Sequence, residues 1–220
     1  MDVLVSLGGS MIVPAEIDAG FLADLRKLVR EYVARDFRFV LYIGGGNTAR
    51  IYQKAIPGIS QRDQDMIGIA ATRLNAELLR SMFADIARAE VVYDPTARIK
   101  FSEKVIIAAG WKPGWSTDYD SVLLARNLGI SEVVNMTNVD HVYDRDPKQP
   151  GAKAIKSLGW DSYLKISGTE WRAGMHLPFD PVASKEAGRL GMRVIIMKGL
   201  SNFRRYLDGK SFIGTVIGNQ

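Results

Sequence analysis

Residues 39–50 read FVLYIGGGNTAR, and this stretch decides the fold. Phe39–Ile43 is apolar or aromatic throughout, with no charged residue. Such a run fits a strand buried on both faces. It stops at Gly44-Gly45-Gly46, and Asn47–Lys54 then has the character of a helix start. Strand, glycine turn and helix in that order form the repeating unit of a parallel α/β sheet.

The same order occurs at the start of the chain, where Val3–Leu7 runs into Gly8-Gly9-Ser10. Further strands are predicted at Val91–Tyr93, Val105–Ala109, Val133–Met136, Val194–Met197 and Phe212–Ile217. Helical spacing predicts helices over Phe21–Val33, Arg62–Arg88, Asp118–Asn127, Pro181–Leu190 and Asn202–Leu207. Continuous apolar strands between helices imply a mostly parallel sheet covered on both faces. Arg145–Lys153 is polar and Pro-containing, and its nine residues fit a surface loop as well as a boundary.

With 220 residues, one domain is expected. The 47 % hydrophobic and 24 % charged residues are the balance of a globular protein, which excludes a disordered or collagen-like chain. A net charge of +5 suits an anionic partner without choosing among nucleic acid, membrane and phosphorylated metabolite. Cysteine is absent, which removes thiol nucleophiles, disulfides and cysteine-bound metals. The segment MDVLVSLGGSMIVP has no basic region of the secretory kind, and no apolar run approaches the ~18–20 residues of a membrane span. The expected location is the cytoplasm.

Five features could carry chemistry. The two glycine loops can bring backbone N–H groups close to phosphate oxygens. Neither fits GxGxxG or GxxxxGK[ST], so the common dinucleotide and P-loop readings lose support. A tight turn without ligand is the alternative for either loop alone. The third feature is GWKPGWSTDYD, Gly110–Asp120, between a strand and a helix. Ser116, Thr117 and Asp118 could cap that helix, and Trp111 and Trp115 could be packing residues or stacking platforms. The fourth is MTNVDHVYDRDP, Met136–Pro147, a polar turn at a strand end. The fifth is the long helix. Asp65 and Thr72 lie within ~20° of one another around it, with Asn75 about 80° further. Met66, Ala70, Leu74 and Leu78 form a separate apolar stripe. Small residues beside the polar ones imply close packing against a ligand or a second subunit.

The two histidines, His141 and His176, fall in no metal-binding spacing, and no GxSxG is present. Phosphoryl transfer needs neither, because positioning and charge neutralisation dominate it.

Taken in order, these motifs resemble the amino-acid kinase superfamily, and within it the archaeal-type uridylate kinases. The matching residues are Leu7-Gly8-Gly9-Ser10 with Val13-Pro14, Gly44-Gly45-Gly46 with Ala49-Arg50, and Asp65 with Thr72–Ala76. They continue through Pro113-Gly114, Ser116-Thr117-Asp118, Thr137–Asp140, Val142-Tyr143, Asp146-Pro147 and Phe179-Asp180-Pro181. The resemblance implies a three-layer α/β/α sandwich with a mostly parallel central sheet. It implies transfer of the ATP γ-phosphate to UMP with Mg²⁺, and no resident metal site. Acceptor elements would lie mainly in residues 1–130 and ATP elements mainly in 131–220.

Motif by motif, it puts Gly9, Ser10, Gly46, Arg50, Thr137, Asn138, Tyr143 and Asp146 on ATP. It puts Gly45, Asp65, Trp111, Lys112, Pro113, Gly114, Trp115, Ser116 and Thr117 on UMP. Asp118 and Arg50 would be the catalytic side chains. A homo-oligomer, a hexamer by preference, is implied, with no nucleic-acid or membrane partner. Relatives often carry a lysine on the first strand; Val5-Ser6-Leu7 stands there, leaving Arg50 or Lys112 as the phosphate-facing cation. His141 stands where the turn commonly has glycine, and Trp111, Lys112 and Trp115 enlarge the acceptor loop. A kinase of this fold for another small anion, or a non-catalytic nucleotide or oxyanion binder, is the alternative.

Overall fold

The computed structural model describes residues 1–146, 149–168 and 177–218; Pro147 and His176 lie outside them. In chain order the elements are β1 (Asp2–Leu7), α1 (Gly9–Ile12), α2 (Ala19–Val33), β2 (Arg38–Ile43), α3 (Gly46–Ala55) and α4 (Gln61–Met82). Then come β3 (Val105–Ala108), α5 (Thr117–Asn127), β4 (Glu132–Met136), β5 (Val142–Tyr143), β6 (Ala154–Ile155) and β7 (Ser157–Leu158). The chain finishes with α6 (Trp160–Ser167), α7 (Pro181–Arg189), β8 (Arg193–Met197), α8 (Leu200–Leu207) and β9 (Gly214–Ile217).

Seven strands form one sheet in the order β3-β2-β1-β4-β8-β9-β7, and β5 and β6 pair separately. All neighbours in the large sheet are parallel except β8 with β9. Alternate strand residues enter opposite layers, as the pleat requires. Val3, Val5, Leu7, Phe39, Leu41 and Ile43 pack with residues of α2, α4 and α8. Leu4, Val40 and Tyr42 pack with residues of α5, α6 and α7. The architecture is thus the expected α/β/α sandwich. Each fully buried Leu, Ile or Val in these layers contributes on the order of 1.5–3 kcal/mol.

Helix starts follow local chemistry. The Asp18 carboxylate accepts the Phe21 N–H at 2.8 Å, and the Ser60 hydroxyl accepts that of Asp63 at 3.1 Å. Ser116 accepts the Tyr119 N–H at 3.1 Å, so of the three capping candidates it is the one that caps α5. Asp180 caps α7, with Pro181 in the first turn.

Two expectations are corrected. The long helix stops at Met82 rather than Arg88, because the Phe83 backbone leaves the helical region at φ −113°. Val91–Tyr93 makes a single bridge, Val92 with Ala108, rather than a strand. Of the separate apolar stripe, Met66, Leu74 and Leu78 are exposed. The sequence pattern predicts no helix over α6, whose N-cap, Gly159, has no capping side chain.

The order of strands places the site. From β1 the chain adds β2 and then β3 on one side, while β4 and then β8 lie on the other. The reversal falls between β1 and β4, and a parallel sheet leaves a crevice outside the carboxyl ends of strands at such a point.

Candidate active site

The two glycine loops cross one another at this crevice. Gly8 N–H donates to Met136 O at 2.9 Å and Gly44 N–H to Leu7 O at 3.0 Å, joining the ends of β4, β1 and β2. A Cβ on Gly9 would lie 2.1 Å from the Gly46 nitrogen and 2.5 Å from Gly44 O. Gly46 itself has φ +61°, a conformation side chains rarely adopt. Glycine at these positions is therefore a requirement of the crossing.

Helix α4 braces the loops with the polar stripe read from its sequence. Asn75 Nδ2 donates to Gly44 O at 3.0 Å and Gly45 O at 3.1 Å. Thr72 Oγ1 accepts the Gly110 N–H at 2.9 Å. Arg73 reaches Trp111 O at 3.1 Å and stacks over Tyr93. Asp65 Oδ2 accepts the Gly114 N–H at 2.8 Å. One helix thus positions both the second glycine loop and the 110–114 loop. Asn75 and Arg73 had no site role in the sequence reading, although the Asn75 spacing on α4 was visible.

Two clefts flank the crossing. The larger, about 1110 Å³, is lined by Thr137, Asn138, His141, Tyr143 and Asp146 from the turn after β4, and by Tyr163 and Lys165 from α6. The smaller, about 610 Å³, is lined by both glycine loops, Asp65, Thr72, Gly110, Trp115, Ser116, Thr117 and Asp118. Ser10 and Arg50 line both. Trp111, Lys112, Pro113 and Gly114 lie beyond the residues lining the smaller cleft. Lys112 is exposed, with Nζ 3.7 Å from the Trp111 ring centre. Trp115 lies over Tyr119 with ring centres 4.3 Å apart.

Asp118 stands at the base of the smaller cleft. Ser6 Oγ donates to its Oδ1 at 3.3 Å, and the Asp180 N–H to its Oδ2 at 3.1 Å. Burial, then the neighbouring Asp180 charge, pushes its pKa up to about 7. Within Val5-Ser6-Leu7, it is the Ser6 hydroxyl that touches this carboxyl. Asp180 is itself raised by burial, while the N–H groups of Val182 and Ala183 pull it back. Its place beside Asp118 joins two segments far apart in sequence and was not foreseen. Neither was Lys165, because α6 was not predicted.

His141 lines the larger cleft; its Nδ1 is buried without a hydrogen-bond partner and lies 3.7 Å from Asp140. Among the described residues no three His, Asp or Glu side chains converge to hold a metal. No helix among them is long and apolar enough to cross a membrane.

A glycine-lined crevice at the switch point of an α/β/α sheet, with a cleft on each side and an arginine between, defines a phosphate-handling protein. The amino acid kinase family profile matches residues 1–198, and the chain belongs to that family. Its relatives are specific. It is 31 % identical over 225 residues to the uridylate kinase of Methanobrevibacter smithii, covering 99 % of each chain. It is 34 % identical over 203 residues to the uridylate kinase of Sulfurisphaera tokodaii, covering 88 % of this chain and 89 % of that one. The crystal structure of uridylate kinase from Archaeoglobus fulgidus superposes with a TM-score of 0.83 at 32 % identity, covering 99 % of this chain and all of that one.

Proposed function

We propose that this chain is a uridylate kinase, transferring the γ-phosphate of ATP to UMP to give UDP and ADP. The observation that carries the reading is the meeting of two clefts at Ser10 and Arg50, directly over the crossed glycine loops. Full-length similarity to uridylate kinases supports UMP as acceptor.

In this reading ATP occupies the larger cleft and UMP the smaller. Acceptor elements then fall mainly before residue 130 and donor elements mainly after it, within one domain. Gly9, Gly45 and Gly46 offer backbone N–H groups, and Ser10 and Arg50 face the transferring group. Arg50, rather than Lys112, is the phosphate-facing cation, because it lines both clefts. A guanidinium gives forked donors to phosphate oxygens as charge develops. Thr137, Asn138, Tyr143 and Asp146 line the donor nucleotide. Asp65 and the loop from Trp111 to Thr117 hold the acceptor, the loop's first residues acting through its backbone position.

Asp118 attacks nothing. It holds Ser6 of β1 and the start of α7 at fixed distance, so that the phosphate-binding backbone is organised before substrate arrives. Mg²⁺ enters with ATP. When bound, it supplies charge neutralisation on the phosphates.

We also infer a cytoplasmic homo-oligomer, a hexamer, without nucleic-acid or membrane partners. Helices α3 and α4 pack together and leave Ile51, Tyr52, Met66 and Leu74 open to solvent, with Tyr52 and Leu74 each 65 % exposed. Such a patch is the kind that self-association covers. Sedimentation of Leu74→Glu should show smaller species than the native chain; an unchanged size overturns this interface.

The decisive experiment measures ADP production from ATP and Mg²⁺ with UMP, CMP, carbamate, glutamate or isopentenyl phosphate as acceptor. UMP should dominate. Turnover with another acceptor alone would make this a kinase of different specificity. Tight ATP binding without any turnover would indicate a nucleotide-binding protein.

A further inference from the structure

Asp120 is fully buried and has no part in the reaction set out above. It lies two residues after Asp118 on α5, so the two carboxyls leave the helix in nearly opposite directions. Asp118 turns to the clefts; Asp120 turns to the back of the acceptor loop.

Its Oδ2 accepts the Trp111 N–H at 3.1 Å, and its Oδ1 has no donor. The Tyr42 hydroxyl from β2 is a neighbour that acts on this carboxyl, and it donates to Ala109 O at 2.7 Å. A buried carboxylate holding a single N–H is costly, and such a group neutralises instead. A proton on the unpaired oxygen completes a chain. A small turn of the protonated carboxyl would let it donate to Tyr42 Oη, while Tyr42 donates to Ala109 O and the Trp111 N–H donates to Asp120. Every member is then satisfied. If Asp120 is ionised, the one Tyr42 proton must serve either Asp120 or Ala109 O, and a buried oxygen is left bare.

Ala109 and Trp111 flank Gly110, where the acceptor loop begins. We propose that Asp120 is a positioning residue that works as a neutral carboxylic acid and sets the acceptor loop against its cleft through the Ala109 carbonyl and the Trp111 amide. The proposal rests on reading that cleft as the UMP site. Burial supports it by pushing the Asp120 pKa up to about 7. The charged and titratable groups that act on Asp120 are Tyr42 from β2, Lys112 from the loop and, from the other side of its own helix, Asp118. Arg73 and Asp94 act on Tyr42.

The test is steady-state kinetics of the native chain, Asp120→Asn and Asp120→Ala, each at about pH 6 and about pH 8.5. An asparagine amide can accept from Trp111 and donate to Tyr42, reproducing the neutral acid. Asp120→Asn should keep the UMP KM within about twofold of native at the lower pH, and Asp120→Ala should raise it about tenfold, with kcat and ATP KM moving less than about threefold. Native UMP KM should rise with pH relative to Asp120→Asn at the same pH, a comparison in which the titration of UMP cancels. An unchanged UMP KM in Asp120→Ala, or an asparagine variant as impaired as the alanine one, overturns the proposal. If Asp120→Ala does not fold, Tyr42→Phe cuts the same chain and must raise the UMP KM selectively; no change there overturns it equally. Should the native chain use a different acceptor, the UMP reading fails, and the same comparisons with that acceptor still decide the role of Asp120.

Discussion

Arg50 Nη2 donates to Ser10 Oγ at 3.1 Å, linking α3 to the first glycine loop on the line where the two clefts meet. In the proposed reading, the contact holds the guanidinium over the place where the phosphoryl group crosses. Arg50→Ala should lower kcat by about 10²–10³-fold, the loss typical of removing one preorganised donor to developing charge. Arg50→Lys should recover part of it, since a lysine restores charge without the fork. A coupled ADP assay checks both. Equal rates for the native chain and Arg50→Ala would move the phosphate-facing role elsewhere.

Asp118→Asn should reduce kcat and kcat/KM by similar factors, each well over about tenfold, while the variant stays folded. The amide can still accept one of the two hydrogen bonds, from Ser6 or from Asp180, but not both with carboxylate geometry. Circular dichroism reports the fold and initial rates report the loss. A drop confined to KM would show that Asp118 binds substrate rather than organising the site.

Stability should fall as pH rises from about 4 through about 7. Asp118 and Asp120 each have a folded-state pKa raised to about 7. Their unfolded values lie near 3.9, so between the two the folded chain binds more protons than the unfolded one. Their stabilising contribution is complete below about pH 4 and is lost as pH passes the folded value. Asp208 works the other way: the Tyr32 hydroxyl and then Arg35 lower it to about 2, so its contribution is present above about 4 and fades only in strong acid. Calorimetry across this range should show a falling Tm, and the slope should flatten in Asp120→Asn.

Asp65→Ala should raise the acceptor KM and leave the ATP KM nearly alone. The Asp65 carboxylate holds the Gly114 N–H and also accepts from Gln61 Nε2 at 3.0 Å, so its loss frees the far end of the acceptor loop. Separate titrations of the two substrates decide this. An effect on ATP alone would mean that the two sites are reversed.

Gly9→Ala and Gly114→Ala should differ sharply. At Gly9 the added methyl meets backbone at 2.1 Å, and neither loop can yield without breaking the crossing. That substitution should prevent folding or cost more than about 3 kcal/mol. Gly114 has φ +88° and open space around it, so only local strain of about 1–2 kcal/mol applies. Denaturant melts of the two variants test the contrast.

Much of this was legible from the chain alone. Apolar runs such as Phe39–Ile43 were long enough to be strands on any register, and glycines at their ends marked the turns. The spacing of Asp65, Thr72 and Asn75 on one helix was plain because helical geometry is local. Tertiary context cut α4 at Met82 and reduced Val91–Tyr93 to one bridge, against the local pattern. Lys112 offered a cation to the acceptor loop, but the fold lays it on the Trp111 ring, outside both clefts.

The sequence by itself determined the layered fold, the glycine turns and the ordered motifs of the family, because each depends on neighbours a few residues away. Only the tertiary structure decided which groups meet. Asp118 touches Ser6 and Asp180, Asp120 sits beneath Trp111 with Tyr42, and Arg50 reaches Ser10. Those contacts arise where separate strands end together at one edge of the sheet. Burial there shifts carboxyl chemistry in a way no linear pattern records, since the low dielectric is made by residues distant along the chain.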